Sequence, residues 1–449
     1  MSQLPRLAIG TIQPGTDPQA ILWALMEAFR RTGIQVQSFL SRSHFPGSLG
    51  TAAVTGTNVR HLDSWLMSPE ICRDLFERGA SVADLALVEG RFASAAGLGS
   101  CGGQLEPLCR WLDLPRLIVV DSSKLTACSL PTRPRFGDGL LLDRVANPRH
   151  LASLTTELEL LWGIPVIGSL MELSDLRRKL NRLPAGNRVP GELRLALADQ
   201  FVTSCRLERI WDLAIEREMP AQRPRCRCQV EIFPKLTVAI AYDEAFYRYF
   251  PDTLDLLESR GATVVDFSPL RDEAVPQGAD IVYIGCGHPE RHARALSENH
   301  CMSAALRNHV RSGGRVYAEG GGAAYLCQYM ETPAGDMRRM VGILPAVARL
   351  QPSPVPTLAA EVTLARPSWL GLPGTRIRGY TNSTWQWEPT GPAAGLIAGE
   401  EHCFELIGGF SAVGSLLHLN FAALPHCFRQ FFYPHPCHGA APDPWAMIR

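Results

Sequence analysis

The sequence predicts two α/β domains, each a mostly parallel sheet flanked by helices. Three observations predict it. The first 40 residues run strand, glycine-containing loop, helix, strand, the layout of an α/β unit. Continuous apolar runs recur further on, as parallel strands buried on both faces require. A second such unit reaches Val316–Leu326, V-Y-A-E-G-G-G-A-A-Y-L, where a β-branched and aromatic run ends in three glycines before a small-residue helix. On that strand–elbow–helix shape, α/β enzymes hold a nucleophile at a sharp turn. Here the turn reads Gly320, Gly321, Gly322, with no Ser, Cys or Thr at its tip.

Composition narrows the function classes. A chain of 449 residues, 46% hydrophobic and 20% charged, is long enough for two or three packed domains. Its formal net charge is zero, which gives no long-range support for binding nucleic acid or an anionic membrane. Met1–Gly10 lacks the basic region and long apolar core of a secretory signal, and no apolar run reaches the roughly 18 residues of a membrane span. The expectation is a cytoplasmic protein. Its thirteen scattered cysteines then read as reduced thiols.

Arg6–Thr11 reads as the first strand. Asp17–Thr32 is helical, with Ile21, Leu22, Leu25, Met26 and Phe29 at three- and four-residue spacing; Gly33 ends it and Ile34–Leu40 is the next strand. The loop between, G-T-I-Q-P-G-T-D-P-Q, has Asp17 and Pro18 where a phosphate-binding loop needs Lys and Ser/Thr. Asp17 repels a triphosphate and Pro18 removes an N–H, whereas Asp followed by Pro at the first helical position is an ordinary cap. Ala83–Glu89, Arg116–Asp121 and Ile164–Ser169 are further strands, with Glu89 and Asp121 at ends where such sheets present ligand contacts or helix caps. Leu193–Ile215 is helical and closes a first domain over residues 1–215.

Glu216–Leu236, rich in Pro and Arg, reads as a linker, and its Cys226-x-Cys228 is too short for the usual zinc pair. The second domain, 237–434, opens with strand Thr237–Ala241. It continues with helix Phe250–Ser259, strands Thr263–Phe267 and Ile281–Gly285, and a long helix Arg291–Arg311 before the elbow. Proline-rich Ser353–Gly374 is expected to cover an edge. Phe404–Phe421 supplies the last strands and carries His418, either a core histidine or a general base facing the elbow. His426, Cys427, His435, Cys437 and His438 crowd the C-terminus at spacings that fit no standard zinc site; residues 435–449 read as a loop-like tail.

These motifs, in order, resemble the cobyrinic acid a,c-diamide synthase family. A-Y-D-E-A-F-Y-R-Y-F at Ala241–Phe250 is similar to the family's A-x-D-x-A-F-x-F-x-Y signature. G-C-G-H-P-E at Gly285–Glu290 is similar to G-G-G-Y-P-E, and Y-A-E-G-G-G to Y-A-E-C-G-G. L-H-L-N-F around His418 resembles the strand of the catalytic histidine. In the first half, the Gly10-Thr11 loop sits where the family has G-T-S-S-G-x-G-K-T-T. N-V-R-H-L-D-S-W-L-M, with Asp63, resembles R-N-L-D-P-W-M, and L-V-E-G, with Glu89, resembles V-E-G-V-M-G.

The resemblance implies a phosphate-loop-type synthetase domain followed by a class I glutaminase-like domain, with ATP and Mg2+ as cofactors and a corrinoid or other tetrapyrrole carboxylate as ligand. It also implies a homo-oligomer, or a hetero-oligomer with a complete family member. By resemblance, Gly10, Thr11, Asp63, Glu89 and Asp121 are nucleotide or substrate contacts. Gly285, Gly287 and Gly321 are oxyanion or glutamine-pocket positions, and His418 is the base. The departures are specific: Gly320 stands at the nucleophilic Cys position, Asp17 at the loop Lys and Pro18 at the metal-binding Ser/Thr. G-Y-T-N-S-T at Gly379–Thr384 stands for the family's G-H-E-F-H-Y. Cys286 or Cys327 is a substitute nucleophile only if it lies within about 1 Å of alignment with the base and substrate, and neither is at the elbow tip. The expectation is therefore a relative degenerate at both sites that acts as a binding or partner protein. The alternative is an amide synthase with relocated catalytic groups or ammonia from another subunit.

Overall fold

The computed structural model describes residues 4–45, 50–92, 102–125, 133–183, 188–217, 233–352, 356–382, 384–390, 396–400 and 403–434. The chain divides into two compact units, 1–226 and 227–449.

Seven strands build the first unit: β1 (Arg6–Thr11), β2 (Val36–Leu40), β3 (Arg60–His61), β4 (Leu85–Arg91), β5 (Arg116–Asp121), β6 (Gly139–Val145) and β7 (Val166–Met171). Their order is β3-β2-β4-β1-β5-β6-β7 and every pairing is parallel. The apolar runs explain it: Leu117 to Val120 on β5 and Leu140 to Leu142 on β6 are fully buried, as covering both faces requires. Helix Gln19–Arg31 buries Ala20 through Phe29. It begins one residue later than the capping argument places it: Pro18 is the cap residue, and the Asp17 carboxylate accepts from Gln19 N–H at 3.1 Å. Gly33, at φ +86°, follows it. Leu193–Ile215 is not one helix but two, Gly191–Val202 and Leu207–Ile215. The strand β6 and helix Pro148–Trp162 escaped the sequence reading.

In the second unit, β8 (Leu236–Ala241) is followed by β9 (Phe246–Arg248), β10 (Ala262–Phe267), β11 (Ile281–Ile284), β12 (Cys286–Gly287) and β13 (Arg315–Glu319). Next come β14 (Tyr329–Glu331), β15 (Met337–Arg339), β16 (Ala346–Leu350), β17 (Ala359–Thr363), β18 (Arg376–Thr381) and β19 (Trp385–Pro389). The last are β20 (Leu396–Glu400), β21 (Cys403–Gly408), β22 (Ala412–Ser415) and β23 (Leu417–His418). The main sheet runs β10-β8-β11-β13-β22-β21-β20, parallel through β22 and antiparallel beyond. Smaller sheets β15-β14-β16-β19 and β17-β18-β23, and the pair β12-β9, flank it. The proline-rich segment thus contributes β17 to a sheet.

The long helix Arg291–Arg311 is broken. A 3-10 turn Pro289–His292 and helix Ala293–Glu298 precede helix His300–Arg311, because the Asn299 side chain accepts from Met302 N–H at 3.0 Å and restarts the chain as a cap. Edge-to-face rings from Tyr283 through Tyr317, Phe421 and Phe431 to Trp369, at centroid spacings of 4.9–5.2 Å, pack together in this unit's core. Pro425–Phe432, ahead of the expected tail, is helical, with Cys427 buried in the core and its thiol pushed up to about 12 by burial. His435, Cys437, His438, Cys226 and Cys228 lie outside the described residues. Cys72, Cys109, Cys205, Cys286, Cys301, Cys327 and Cys427 are free thiols. Among the described residues, no helix is long and apolar enough to cross a membrane.

Candidate active site

The elbow is built as its sequence demands. β13 ends at Glu319 and Gly320 turns with φ +52° and ψ −112° into helix Gly321–Leu326. Gly320 N–H donates to Ser415 O at 2.8 Å, which ties the turn to β22. Gly322 packs so closely on the end of β11 that a Cβ would collide with the Ile284 carbonyl oxygen. A Cβ at Gly320 would lie 2.7 Å from Cys286 Sγ and 2.8 Å from Asn382 Nδ2. The thiol of Cys286, held by β12, therefore abuts the position from which an elbow nucleophile would project.

Two more groups converge on that sulfur. His418 Nδ1, on β23, is 3.5 Å from Cys286 Sγ and 3.0 Å from Glu319 Oε1, and Glu319 Oε1 is 3.6 Å from the same sulfur. All three side chains are buried. Glu319 is fixed from behind: Oε2 accepts from Tyr317 O–H at 2.9 Å and from Leu419 N–H at 3.1 Å. The Cys286 thiol is held well above its ordinary pKa, first by burial and then by the Glu319 carboxylate; Arg248 and the Gly321 N–H oppose this weakly.

The structure thus brings Cys286, His418 and Gly320 together. Cys327 does not join them: it is fully buried and donates to Ala323 O at 3.3 Å within its own helix. Gly285 N–H already donates to the Tyr249 hydroxyl oxygen at 2.9 Å. Gly287 packs on Ala245, and a Cβ at Gly321 would meet Pro289 Cδ at 2.7 Å. Glu319 and Asn382 were missed by the sequence reading, although Glu319 immediately precedes the elbow glycines. Asn382 is held by accepting from Thr384 and Trp385 N–H at 2.8 and 3.0 Å.

At the strand ends of the first unit, the loop is closed upon itself. Gln13 Nε2 donates to Asp121 O at 3.1 Å and Asp121 N–H donates to Gln13 Oε1 at 2.6 Å. Lys124 Nζ donates to Pro14 O at 2.9 Å. Thr11 Oγ1 accepts from Gln13 N–H at 3.1 Å, and Gly10 packs directly on Gly90. Asp121 accepts from Ser123 Oγ–H at 2.6 Å. Asp63 is fully buried and accepts from Ser43, Trp65 and Leu66 N–H, a turn-forming role. Glu89 is buried against Ser38, and burial pushes its carboxyl up to about 7. A cleft of about 130 Å³ lies beside the loop, lined by Asp17, Trp23, Arg144 and Arg177 among others. Its arginines are already paired, Arg144 with Glu172 at 3.2 Å and Arg177 with Asp143. With Asp17 on the Gln19 N–H, the residues present do not fit a magnesium triphosphate in the phosphate-loop manner.

Two open α/β sheets, one with a strand–loop–helix turn after its central strand and the other with an elbow facing a histidine, define an amidotransferase-type protein. A family model described as a CobB/CobQ-like glutamine amidotransferase domain matches residues 237–388. The hydrogenobyrinate a,c-diamide synthase of Streptomyces coelicolor is 30% identical over 486 residues, covering 96% of this chain and 97% of the relative. The cobyrinate a,c-diamide synthase of Syntrophotalea carbinolica is 29% identical, covering 84% and 85%, and that of Listeria innocua 26%, covering 95% and 98%. The chain belongs to the cobyrinate a,c-diamide synthase family.

Proposed function

We propose that the protein binds a corrinoid or related tetrapyrrole carboxylate, and that by itself it does not form the amide for which its relatives are named. It then works as a cytoplasmic binding protein or as the partner of a complete family member. The observation that carries this reading is Asp17, whose carboxylate takes the first helical N–H where a phosphate would sit. An ATP-driven step has no anion cradle left there.

The test is calorimetry of the full chain with cobyrinic acid and with magnesium-ATP. Heat from cobyrinic acid and none from the nucleotide supports the reading; tight nucleotide binding overturns it.

A second reading, an amide synthase with relocated catalytic groups or with ammonia from another subunit, is favoured by the 3.5 Å contact of Cys286 with His418. Ammonia release from glutamine that vanishes in Cys286→Ser would select it.

A further inference from the structure

The Cys286–Glu319–His418 cluster differs from a nucleophilic relay in one respect. In a relay the thiol and the orienting acid bond opposite nitrogens of the imidazole, so that a proton passes through the ring. Here Cys286 Sγ and Glu319 Oε1 both address Nδ1. Three unlike donor atoms converge on one point.

Their separations have a meaning of their own. A tetrahedral zinc ion, with bonds of about 2.3 Å to sulfur and about 2.0–2.1 Å to nitrogen and oxygen, sets its ligand atoms about 3.3–3.6 Å apart. The S–N and S–O separations here, 3.5 and 3.6 Å, fall in that range, and the N–O separation, 3.0 Å, is shorter, held by a direct hydrogen bond that an ion would open by a few tenths of an ångström. No other group of three such donors within ligating distance occurs among the described residues.

We propose that Cys286, Glu319 and His418 form a three-donor site for a divalent, thiophilic metal ion, with zinc the best match. One sulfur, one nitrogen and one oxygen leave a fourth, open position, the pattern of reactive rather than purely structural zinc. Charge agrees: a thiolate and a carboxylate neutralise one divalent ion in a buried place that otherwise keeps the thiol protonated. The second oxygen of Glu319, held by Tyr317 O–H and Leu419 N–H, fixes the first one's direction, as outer partners do for metal ligands. Glycine at 320 is what makes room for the sulfur.

This inference is independent of corrinoid binding, and its test is separate. The full chain is stripped with a chelator, loaded with zinc or cobalt alone, desalted and assayed for metal content and absorbance. Circular dichroism checks that each variant is folded. About one metal per chain and a thiolate-to-cobalt charge-transfer band are expected, with release of a proton on loading. Cys286→Ser should abolish the band and weaken zinc binding by about 100-fold or more. His418→Ala should weaken it similarly, and Cys301→Ser, at an exposed thiol, should change nothing. A folded wild type that retains no metal overturns the proposal, as does metal retention unaffected by Cys286→Ser. Covalent capture of Cys286 by a glutamine-mimicking electrophile in metal-loaded protein also overturns it, in favour of the relocated nucleophile.

Discussion

The two units carry Asp17 and Gly320 where the resembled family pattern has Lys and Cys, and they surround these residues differently. In the first, the loop is closed by the chain's own hydrogen bonds: Asp17 with Gln19, Gln13 with Asp121, Lys124 with Pro14. In the second, the elbow tip lies against a reactive group, Cys286, with His418 and Glu319 around it. A missing catalytic residue therefore does not by itself define a dead site. What occupies the emptied space decides whether chemistry remains.

The largest effect should come from the second unit. Glu319→Ala leaves Tyr317 O–H, Leu419 N–H and His418 without their buried acceptor, and should cost about 3–5 kcal/mol in urea unfolding. A cost near zero would mean that the cluster is not held as a unit.

In the first unit, Glu89 offers a pH test. Its carboxyl titrates at about 7 folded against 4.5 unfolded, so its share of stability is full below 4.5, is lost as pH rises to 7 and stays lost above. The span corresponds to about 3 kcal/mol. Asp143, raised to about 6 by burial, adds a similar slope at lower pH, so the window from 6 to 7 belongs to Glu89. Glu89→Gln should flatten the stability profile there, measured by urea midpoints across pH.

Gly320→Cys tests the exchange at the elbow directly. The new Cβ meets Cys286 Sγ, and the single variant should lose about 1–3 kcal/mol. Adding Cys286→Gly should return about 1–2 kcal/mol. Equal stabilities of the single and double variants would show the two positions to be uncoupled. The smallest effect is expected of Asp17→Lys: under about 1 kcal/mol in stability for an exposed cap, with no tight nucleotide binding, because Pro14 and Pro18 still lack N–H groups. Tight binding would reduce the first unit's loss to one side chain.

Much of the fold was legible because its signals are local. The run R-L-I-V-V-D becomes β5 with the expected ends, and the three glycines become the elbow. The break at Asn299 was hidden because apolar spacing continues across it, while a side-chain cap decides the matter. The site was legible only in parts. Gly320 and His418 could be read from motifs, but the contact of Cys286 with His418 spans 132 residues and depends on β12 and β23 meeting at the elbow. No spacing rule reaches that far. Glu319 looked like the last residue of a strand, and its inward direction is a property of the pleat against β22.

The glycine at the elbow also constrains which side chains can stand beside it. The family pattern has cysteine at this turn and glycine at the neighbouring loop position; here the two are exchanged. A chain carrying both cysteines would press a Cβ to 2.7 Å of the sulfur, whereas a chain carrying both glycines has no clash.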